Sequence, residues 1–196
     1  MYKKPTRFRK IAMLVSIAGH PLLLCSAFTI LVIFSLYPRS TAYFISALII
    51  GLIACPLLVN NYLGTRKGSY TNFDVSDQQQ RKKFYPVVLS LLWGTNLLLY
   101  CLNAPSEVNK GTFTFVIMIS LFFLLNYSVK ASLHVAVAAF IAISLAKLFP
   151  HLALILVVFS FFIAASRLVL QRHTFLEVLV GGVVGSVFGY WHYCLQ

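Results

Sequence analysis

Long runs of apolar residues, separated by short polar connections, follow one another along most of this sequence. Most of these runs approach the ~20 residues that an α-helix needs to cross the hydrocarbon core of a bilayer. In lipid, every backbone polar group must be satisfied, and a helix achieves this within one segment. The sequence therefore predicts an all-α fold: a polytopic membrane helical bundle with about six to seven transmembrane helices.

We place seven spans by the polar, basic or proline residues that interrupt the apolar runs. The longest polar connection covers residues 64–85 and precedes Pro86, which we take as the start of the third span. No internal repeat is visible, and we expect a single domain over residues 1–196. The spans cover about 17–37, 41–63, 86–102, 112–129, 130–149, 151–165 and 173–193.

Composition excludes two broad classes of protein. Hydrophobic residues make up 60% of the chain and charged residues only 10%, whereas soluble globular domains carry about 25% charged residues. A disordered chain needs low hydrophobicity and high charge, so disorder is excluded as well. The net charge of +12 comes from 16 basic and 4 acidic residues. The basic residues lie in connections between spans and not on one soluble face, so we expect no nucleic-acid partner.

The basic residues divide unevenly between the two sides of the predicted bundle. When the seven spans alternate, 13 of the 16 fall on the side of the amino terminus, against Arg39, Lys110 and Lys147 on the other. Lys and Arg accumulate in cytoplasmic loops, and they also attract anionic lipids. We therefore expect an integral protein of a bacterial inner membrane, with its amino terminus in the cytoplasm. Gly19-His20-Pro21 can break the first span, and an error of one span would reverse every later assignment.

Polar residues that need a functional explanation gather at three places on the predicted cytoplasmic side. An ionisable residue at membrane depth is costly, so it indicates a functional site by default. The first place holds three consecutive cations before the third span. The second is the junction of spans 4 and 5, and the third joins spans 6 and 7. The three segments are Arg81-Lys82-Lys83, Lys130-Ala131-Ser132-Leu133-His134 and Ser166 to Glu177.

The third segment combines a histidine, a carboxylate and a cation. His173 and Glu177 are four residues apart, so on a helix they share a face and the carboxylate can fix one ring tautomer. Arg167 lies in the predicted polar connection, from which its planar guanidinium can reach a phosphate at the start of the helix. In the second segment, His134 can act as a general acid, and Lys130 and Ser132 can donate hydrogen bonds to a phosphate.

Two of these segments resemble signatures of the phosphatidic acid phosphatase type 2 superfamily. Ser166-Arg167, five residues, His173, three residues and Glu177 resembles the third signature, Ser-Arg-x5-His-x3-Asp. The segment Ala131-Ser132-Leu133-His134 is similar to the second, Pro-Ser-Gly-His. The first signature, Lys-x6-Arg-Pro, has no clean match, although Arg81 to Pro86 has the corresponding place and charge.

The resemblance implies a helical core shared with vanadium haloperoxidases and a phosphatase mechanism without metal or cofactor. His173 would attack phosphorus and form a phosphohistidine, Glu177 would orient it, and His134 would protonate the leaving group. The substrate would be a lipid phosphate or diphosphate, presented among membrane lipids. The phosphate oxygens would contact Arg167, Ser132, Lys130, Arg81, Lys82 and Lys83.

Two other functions stay open on the sequence alone. A relative that binds or moves an anionic lipid without hydrolysing it would fit the altered second motif, in which Ala131 and Leu133 replace Pro and Gly. Asp74 and Asp77 form a DxxD pattern similar to the metal–diphosphate sites of prenyltransferases, which depend on magnesium.

The remaining features are interpreted as structural. The four cysteines lack the spacing of a metal site, and we expect neither a disulfide nor a metal. His20, His151 and His192 lie near span ends and are interpreted as interfacial. Glycines of the last span with GxxxG-type spacing indicate close packing within the bundle and, second, a homo-oligomer through the same face. These glycines are Gly181, Gly182, Gly185 and Gly189.

Overall fold

The computed structural model describes residues 6–196, which are mostly helical and contain no β-strand, so the all-α prediction is confirmed. A π-helical segment, Ile50–Ala54, joins α3 to α4 so that Arg39–Arg66 forms one helix of 28 residues. Within residues 6–196 the α-helices are α1 Arg7–Ala18, α2 Pro21–Leu36, α3 Arg39–Ile49, α4 Cys55–Arg66, α5 Gln78–Cys101, α6 Ser106–Leu125, α7 Leu133–Ser144, α8 Pro150–Val169 and α9 Phe175–Leu195.

Several helices are long and apolar enough to cross a membrane, which fits an integral membrane protein. In the described part of the chain there are five such helices, or six if the bent pair α1 and α2 forms one span. The bend of 44° falls at Gly19-His20, where the sequence suggested a break. Helix α1 also begins ten residues before the predicted span 17–37.

The predicted span over residues 130–149 is the one that the structure does not contain. Helix α7 has 12 residues and a length of roughly 18 Å, well short of the hydrocarbon thickness of about 30 Å. Nine of its 12 residues are buried. A helix that is apolar on every side is either a membrane span or a core helix, and hydropathy alone does not separate the two. The placement of a span at this segment was therefore wrong, and among the described residues up to six of the expected six to seven spans are long enough to cross.

Helix α5 begins earlier than predicted. The carboxylate of Asp77 accepts hydrogen bonds, both of 2.9 Å, from the N–H groups two and three residues later, and so caps a helix that starts at Gln78. Pro86, taken from the sequence as the helix start, lies inside α5. Proline is tolerated inside membrane helices because neighbouring groups satisfy the released carbonyl. The cations assigned to the loop 64–85 therefore lie in the first turns of α5: Arg81, Lys82 and Lys83.

Helices α7 and α9 run parallel in close contact along the glycines of α9. A Cβ added to Gly181 would lie 2.5 Å from the carbonyl oxygen of Ser132, and one added to Gly185 would overlap the carbonyl of Ala136. Gly189 repeats the contact further along α7. The prediction of close packing within the bundle is thus confirmed, whereas the homo-oligomer remains a prediction.

The chain divides into two compact units, and the expectation of one domain over residues 1–196 stays a prediction. The described part of the first unit comprises residues 6–24 and 129–194, and the second comprises residues 25–128 and 195–196. Each unit has its own apolar cluster. The first is built on Val135, Ala138, Ile163 and Val178. The second is built on Ile33, Ala42, Ile45, Leu99 and Val108.

Candidate active site

A tight turn between α8 and α9 connects two of the predicted site residues. The N–H of Arg172 donates to the carbonyl of Arg167 at 3.0 Å, and the N–H of Gln171 donates to that of Leu168 at 2.9 Å. These two bonds form a Schellman motif. Gln171 has a φ of 55°, in the left-handed region that glycine usually supplies at this position. The turn reverses the chain between Arg167 and His173 without a long loop.

Arg167 lies in the last turn of α8 and is fully buried, with 0% of its surface exposed. The prediction that it lies in a polar connection before α9 was therefore wrong, because α8 continues to Val169. Its Nη1 is 2.7 Å from the hydroxyl of Ser16 and 3.5 Å from Nε2 of His134. A guanidinium has only donors, so the hydroxyl and the imidazole nitrogen act as acceptors here. The contact with His134 fits a neutral ring.

His173 is held by two oxygen acceptors at one ring nitrogen. Its Nδ1 lies 3.0 Å from Oε2 of Glu177 and 3.1 Å from the carbonyl oxygen of Lys130. A proton on Nδ1 satisfies this geometry and leaves the lone pair of the neutral ring on Nε2. The side chain of His173 is 0% exposed. The spacing in the sequence predicted this contact, although His173 precedes α9 instead of lying in it.

Glu177 is fixed by the start of α9 as well as by the histidine. The N–H of Thr174 donates to Oε2 of Glu177 at 3.1 Å, and the N–H of Glu177 donates to Oγ1 of Thr174 at 3.3 Å. This reciprocal pair is a capping box, for which Thr-x-x-Glu before an apolar run is the sequence signature. Thr174 and Glu177 carry that signature in the sequence. It explains why the carboxylate points back toward His173.

Lys130 brings a positive charge to the same carboxylate. Its Nζ lies 3.8 Å from Oε2 of Glu177, and the two side chains are 22% and 17% exposed. Both groups are therefore near the surface, where an ion pair contributes only about 0–1 kcal/mol. The pair matters more for its location, since it places a flexible cation next to the carboxylate that orients His173.

Ser132 precedes α7 and links its start to α9. Its N–H donates to the carbonyl of Glu177 at 2.9 Å. Its side chain does not cap α7, and its Oγ is buried with no hydrogen-bond partner among residues 6–196. An unsatisfied buried hydroxyl costs about 1–3 kcal/mol. A hydroxyl at a helix start is well suited to a ligand oxygen, because a helix amino terminus favours negative charge.

Six of the nine predicted site residues thus lie in one unit, where α7 begins, α8 ends and α9 begins. They form two groups. Arg167 and His134 form the first, and the second contains His173, Glu177, Lys130 and Ser132. The link between the groups is the short segment from Ser132 to His134. The six residues are Lys130, Ser132, His134, Arg167, His173 and Glu177.

The other three predicted residues belong to the second unit. Arg81 is buried, and its Nε donates to the carbonyl oxygen of Val75 at 2.9 Å. Val75 has a φ of 46°, so this bond braces a strained loop residue. The Nζ of Lys82 lies 5.6 Å from the centre of the Tyr127 ring, and Lys83 is exposed. Contact of these cations with phosphate remains a prediction.

The two histidine-containing segments, residues 130–134 and 166–177, are the only basis for assigning this chain to a family. No protein-family model, curated protein or solved structure matches the chain. The resemblance to the phosphatidic acid phosphatase type 2 superfamily therefore remains an expectation, based on the residues of segments 130–134 and 166–177.

Two residues of the site were not found from the sequence. Ser16 contacts Arg167 across 151 residues of chain, a separation for which a single sequence carries no signal. His20 was interpreted as interfacial but lies against His134, with ring centres 5.3 Å apart and planes at 85°. Nδ1 of His20 accepts a hydrogen bond of 3.2 Å from the N–H of Leu22, which fixes this ring at the break between α1 and α2.

Two further polar residues have structural roles that differ from their interpretation. His192 is buried and stacks on Phe140, with ring centres 5.8 Å apart, so the interfacial interpretation was wrong for it. Asp77 caps α5 through its carboxylate. That cap supplies a structural reason for one half of the DxxD pattern and weakens the prenyltransferase alternative.

Proposed function

We propose that this chain is a membrane lipid phosphatase that removes the terminal phosphate of a lipid phosphate or diphosphate through a phosphohistidine intermediate. The observation that carries the proposal is the contact of 3.0 Å between Nδ1 of His173 and Oε2 of Glu177. A carboxylate at Nδ1 fixes the tautomer and stabilises the positive charge that the ring develops during attack. Nε2 then presents its lone pair to phosphorus.

The reaction proceeds in two steps with His173 and His134. Nε2 of His173 forms a bond to phosphorus as the bond from phosphorus to the leaving oxygen breaks, and His134 gives that oxygen a proton. Water then attacks the phosphohistidine and passes a proton to His134, while the nitrogen–phosphorus bond breaks. One lipid phosphate and one water thus yield one lipid alcohol and one inorganic phosphate. From a diphosphate, the first product is the lipid monophosphate.

His134 must carry a proton when the leaving group departs. In the structure its Nε2 accepts from Nη1 of Arg167 across 3.5 Å, which favours the neutral ring. When a phosphate binds Arg167, its negative charge offsets the guanidinium and draws the donor away from the ring. His134 can then take up the proton. Substrate binding therefore prepares the general acid.

The charge of the transferring phosphoryl group is spread over three oxygens, so stabilising that charge is the largest catalytic requirement. Arg167 supplies a buried guanidinium, and Ser132 supplies a buried hydroxyl at the start of α7. Lys130 adds a cation at the rim. Further contacts from the first turns of α5 are part of the proposal: Arg81, Lys82 and Lys83.

The substrate is a lipid whose phosphate lies at the bilayer surface. The six first-unit residues lie at helix ends, and the apolar spans suit a tail that stays in the membrane. Phosphatidylglycerophosphate, phosphatidate, polyprenyl diphosphates and lipid A phosphates share these properties. A site on the cytoplasmic side of an inner membrane would favour a lipid made on the inner leaflet.

A second candidate function is the binding or movement of an anionic lipid without hydrolysis. One specific contact favours it, because Nη1 of Arg167 donates to Nε2 of His134 in this conformation, and that ring nitrogen then holds no proton for a leaving group. Leu133 and Ala131 also replace the small and rigid residues of the related motif. The two functions share a binding site and differ in whether His173 reacts.

The test is phosphate release by purified protein in detergent with excess EDTA. A panel of lipid phosphates and diphosphates is offered to the wild type, to His173→Ala and to His151→Ala. His151 is an exposed histidine in the first turn of α8, whereas Arg167 lies in its last turn, so it is a matched control. We expect turnover in EDTA that disappears in His173→Ala and persists in His151→Ala.

Three other results would change the conclusion. If no lipid is hydrolysed while phosphate or lipid binding survives, the non-catalytic function replaces the proposal. Equal turnover by wild type and His173→Ala would exclude a phosphohistidine. Turnover that requires added magnesium would favour the alternative that uses Asp74 and Asp77.

A further inference from the structure

We propose that Ser16, in the amino-terminal helix α1, is a positioning residue that holds Arg167 in the orientation required to bind phosphate. The inference rests on the proposed function and extends it to a segment that none of the three motifs includes. It makes α1 part of the active site instead of a membrane anchor alone.

The contact is short and buried. Oγ of Ser16 lies 2.7 Å from Nη1 of Arg167, and the two residues are 3% and 0% exposed. Hydrogen bonds with an ionised partner are shorter and roughly twice as strong as neutral ones. Because both groups are shielded from water, the hydroxyl has no solvent competitor for the guanidinium.

The position of Ser16 is set by rigid packing of α1 on α8. Ala12 and Ser16 are the buried residues of α1 and lie four residues apart, on the face of the helix that points inward. Val15 packs against the apolar cluster that contains Ile163 of α8. At the end of α1, a Cβ on Gly19 would lie 2.5 Å from the side chain of Ile163, so the absence of a side chain permits this close approach. Ser16 is therefore a fixed acceptor.

A fixed acceptor can orient the side chain of an arginine that binds phosphate. The guanidinium is planar, and it recognises phosphate with two parallel N–H groups only when that plane is correctly oriented. A bond from Nη1 to Ser16 restricts rotation of the plane before substrate arrives. Without it, the side chain retains its length, its charge and its contact with His134 but loses its shortest orienting bond. Phosphate binding then weakens, and the buried charge also loses a stabilising acceptor.

The experiment compares Ser16→Ala and Ser16→Thr with the wild type, using inorganic phosphate as inhibitor and thermal unfolding as the measure of folding. Ser46→Ala is the matched control, because Ser46 is a buried serine of α3 in the second unit. We expect Ser16→Ala to raise the inhibition constant of phosphate and to lower kcat/KM, each about tenfold. Ser16→Thr, which keeps the hydroxyl, should remain close to the wild type, as should Ser46→Ala.

Several outcomes would overturn the inference. An unchanged phosphate inhibition constant in Ser16→Ala, with or without a lower unfolding temperature, would show that the hydroxyl only stabilises the fold. If Ser16→Thr does not fold, the comparison of Ser16→Ala with Ser46→Ala decides.

If the wild type hydrolyses no lipid, the proposed function fails, and the shift of unfolding temperature by inorganic phosphate replaces inhibition. A phosphate-induced shift that is smaller in Ser16→Ala would support the inference without catalysis, and no shift in the wild type would reject both.

Discussion

At the scale of single residues, Glu177 combines two tasks in one oxygen. Its Oε2 accepts from the N–H of Thr174 and from Nδ1 of His173, and the Lys130 cation lies 3.8 Å away. The first contact stabilises the start of α9, and the second orients the proposed nucleophile. A carboxylate that caps a helix would be expected here even without catalysis, so the two tasks need separate tests.

Glu177→Gln separates them. Glutamine can still complete a capping box, but its uncharged amide no longer stabilises positive charge on His173. We expect kcat to fall about a hundredfold while the unfolding temperature stays near that of the wild type. Phosphate release and thermal unfolding of the same sample measure the two effects. Retention of full activity would remove Glu177 from the mechanism.

Thr174→Ala is the complementary change. It removes the hydroxyl that accepts from the N–H of Glu177 and leaves the carboxylate in place. Loss of such a cap costs about 1 kcal/mol of helix stability, so we expect a lower unfolding temperature with kcat reduced less than in Glu177→Gln. A larger loss of activity than in Glu177→Gln would mean that the cap, and not the charge, controls His173.

The sequence was sufficient for residues that act within one local segment. His173 and Glu177 are four residues apart, and the spacing alone predicted their contact. The sequence did not predict that Arg167 lies inside α8. The carboxyl end of this helix is a Schellman turn in which Gln171, and not a glycine, has a left-handed backbone conformation. The sequence could not find Ser16, since that contact requires knowledge of which helices pack together.

At the scale of helices, the α7–α9 contact positions the groups of the proposed active site. Ser132 and His134 are carried by the start of α7, whereas His173 and Glu177 are carried by the start of α9. The helices approach closely because the facing positions of α9 lack a Cβ. The separation of these two helices therefore fixes the separation of the two histidines that we propose to be catalytic.

Gly185→Ala tests this dependence, with Gly182→Ala as control. A Cβ at Gly185 would overlap the carbonyl of Ala136, whereas one at Gly182 would meet Val135 at an ordinary 3.7 Å. We expect Gly185→Ala to cost about 1–3 kcal/mol and to reduce phosphate release strongly. Gly182→Ala should be neutral or slightly stabilising, since alanine favours helix. Equal effects of the two substitutions, measured by unfolding and activity, would contradict this packing.

Hydropathy alone does not show where a helix begins or whether an apolar segment spans the membrane. Pro86 looks like a helix start in sequence, but Asp77 supplies a better cap nine residues earlier, and α5 begins there. Segment 130–149 looks like a span because it is apolar on all sides, yet α7 is apolar because protein surrounds it. Both errors arise because tertiary neighbours, and not the local sequence, decide where a helix begins and what faces it.

At the scale of the whole molecule, the number of membrane crossings determines which side of the membrane each loop faces. With five or six helices able to cross, in the part of the chain described, the alternation assumed for seven spans no longer holds along the full length. Lys and Arg in a short loop still indicate that this loop is cytoplasmic, so each loop can be assigned by itself. Helix α5, with 24 residues, is the best place to test it.

Single cysteines at Ser69 and Ser106 provide that test. Both serines are exposed, and α5 lies between them in sequence. In a variant without the native cysteines, we expect a membrane-impermeant thiol reagent to label the two positions from opposite sides. Ser69, close to Arg66 and Lys67, should face the cytoplasm. Labelling of both positions from one side would show that α5 does not cross.

The burial of α7 also has a consequence for biogenesis. Ribosomes deliver α7 well before α9, whose glycine face covers it. Until α9 has been synthesised, α7 is too short to cross the bilayer alone, and it carries one histidine and one serine. The order of synthesis thus makes α9 the helix that completes the proposed active site. A nascent chain halted before Gly181 would be a natural substrate for membrane quality-control proteases.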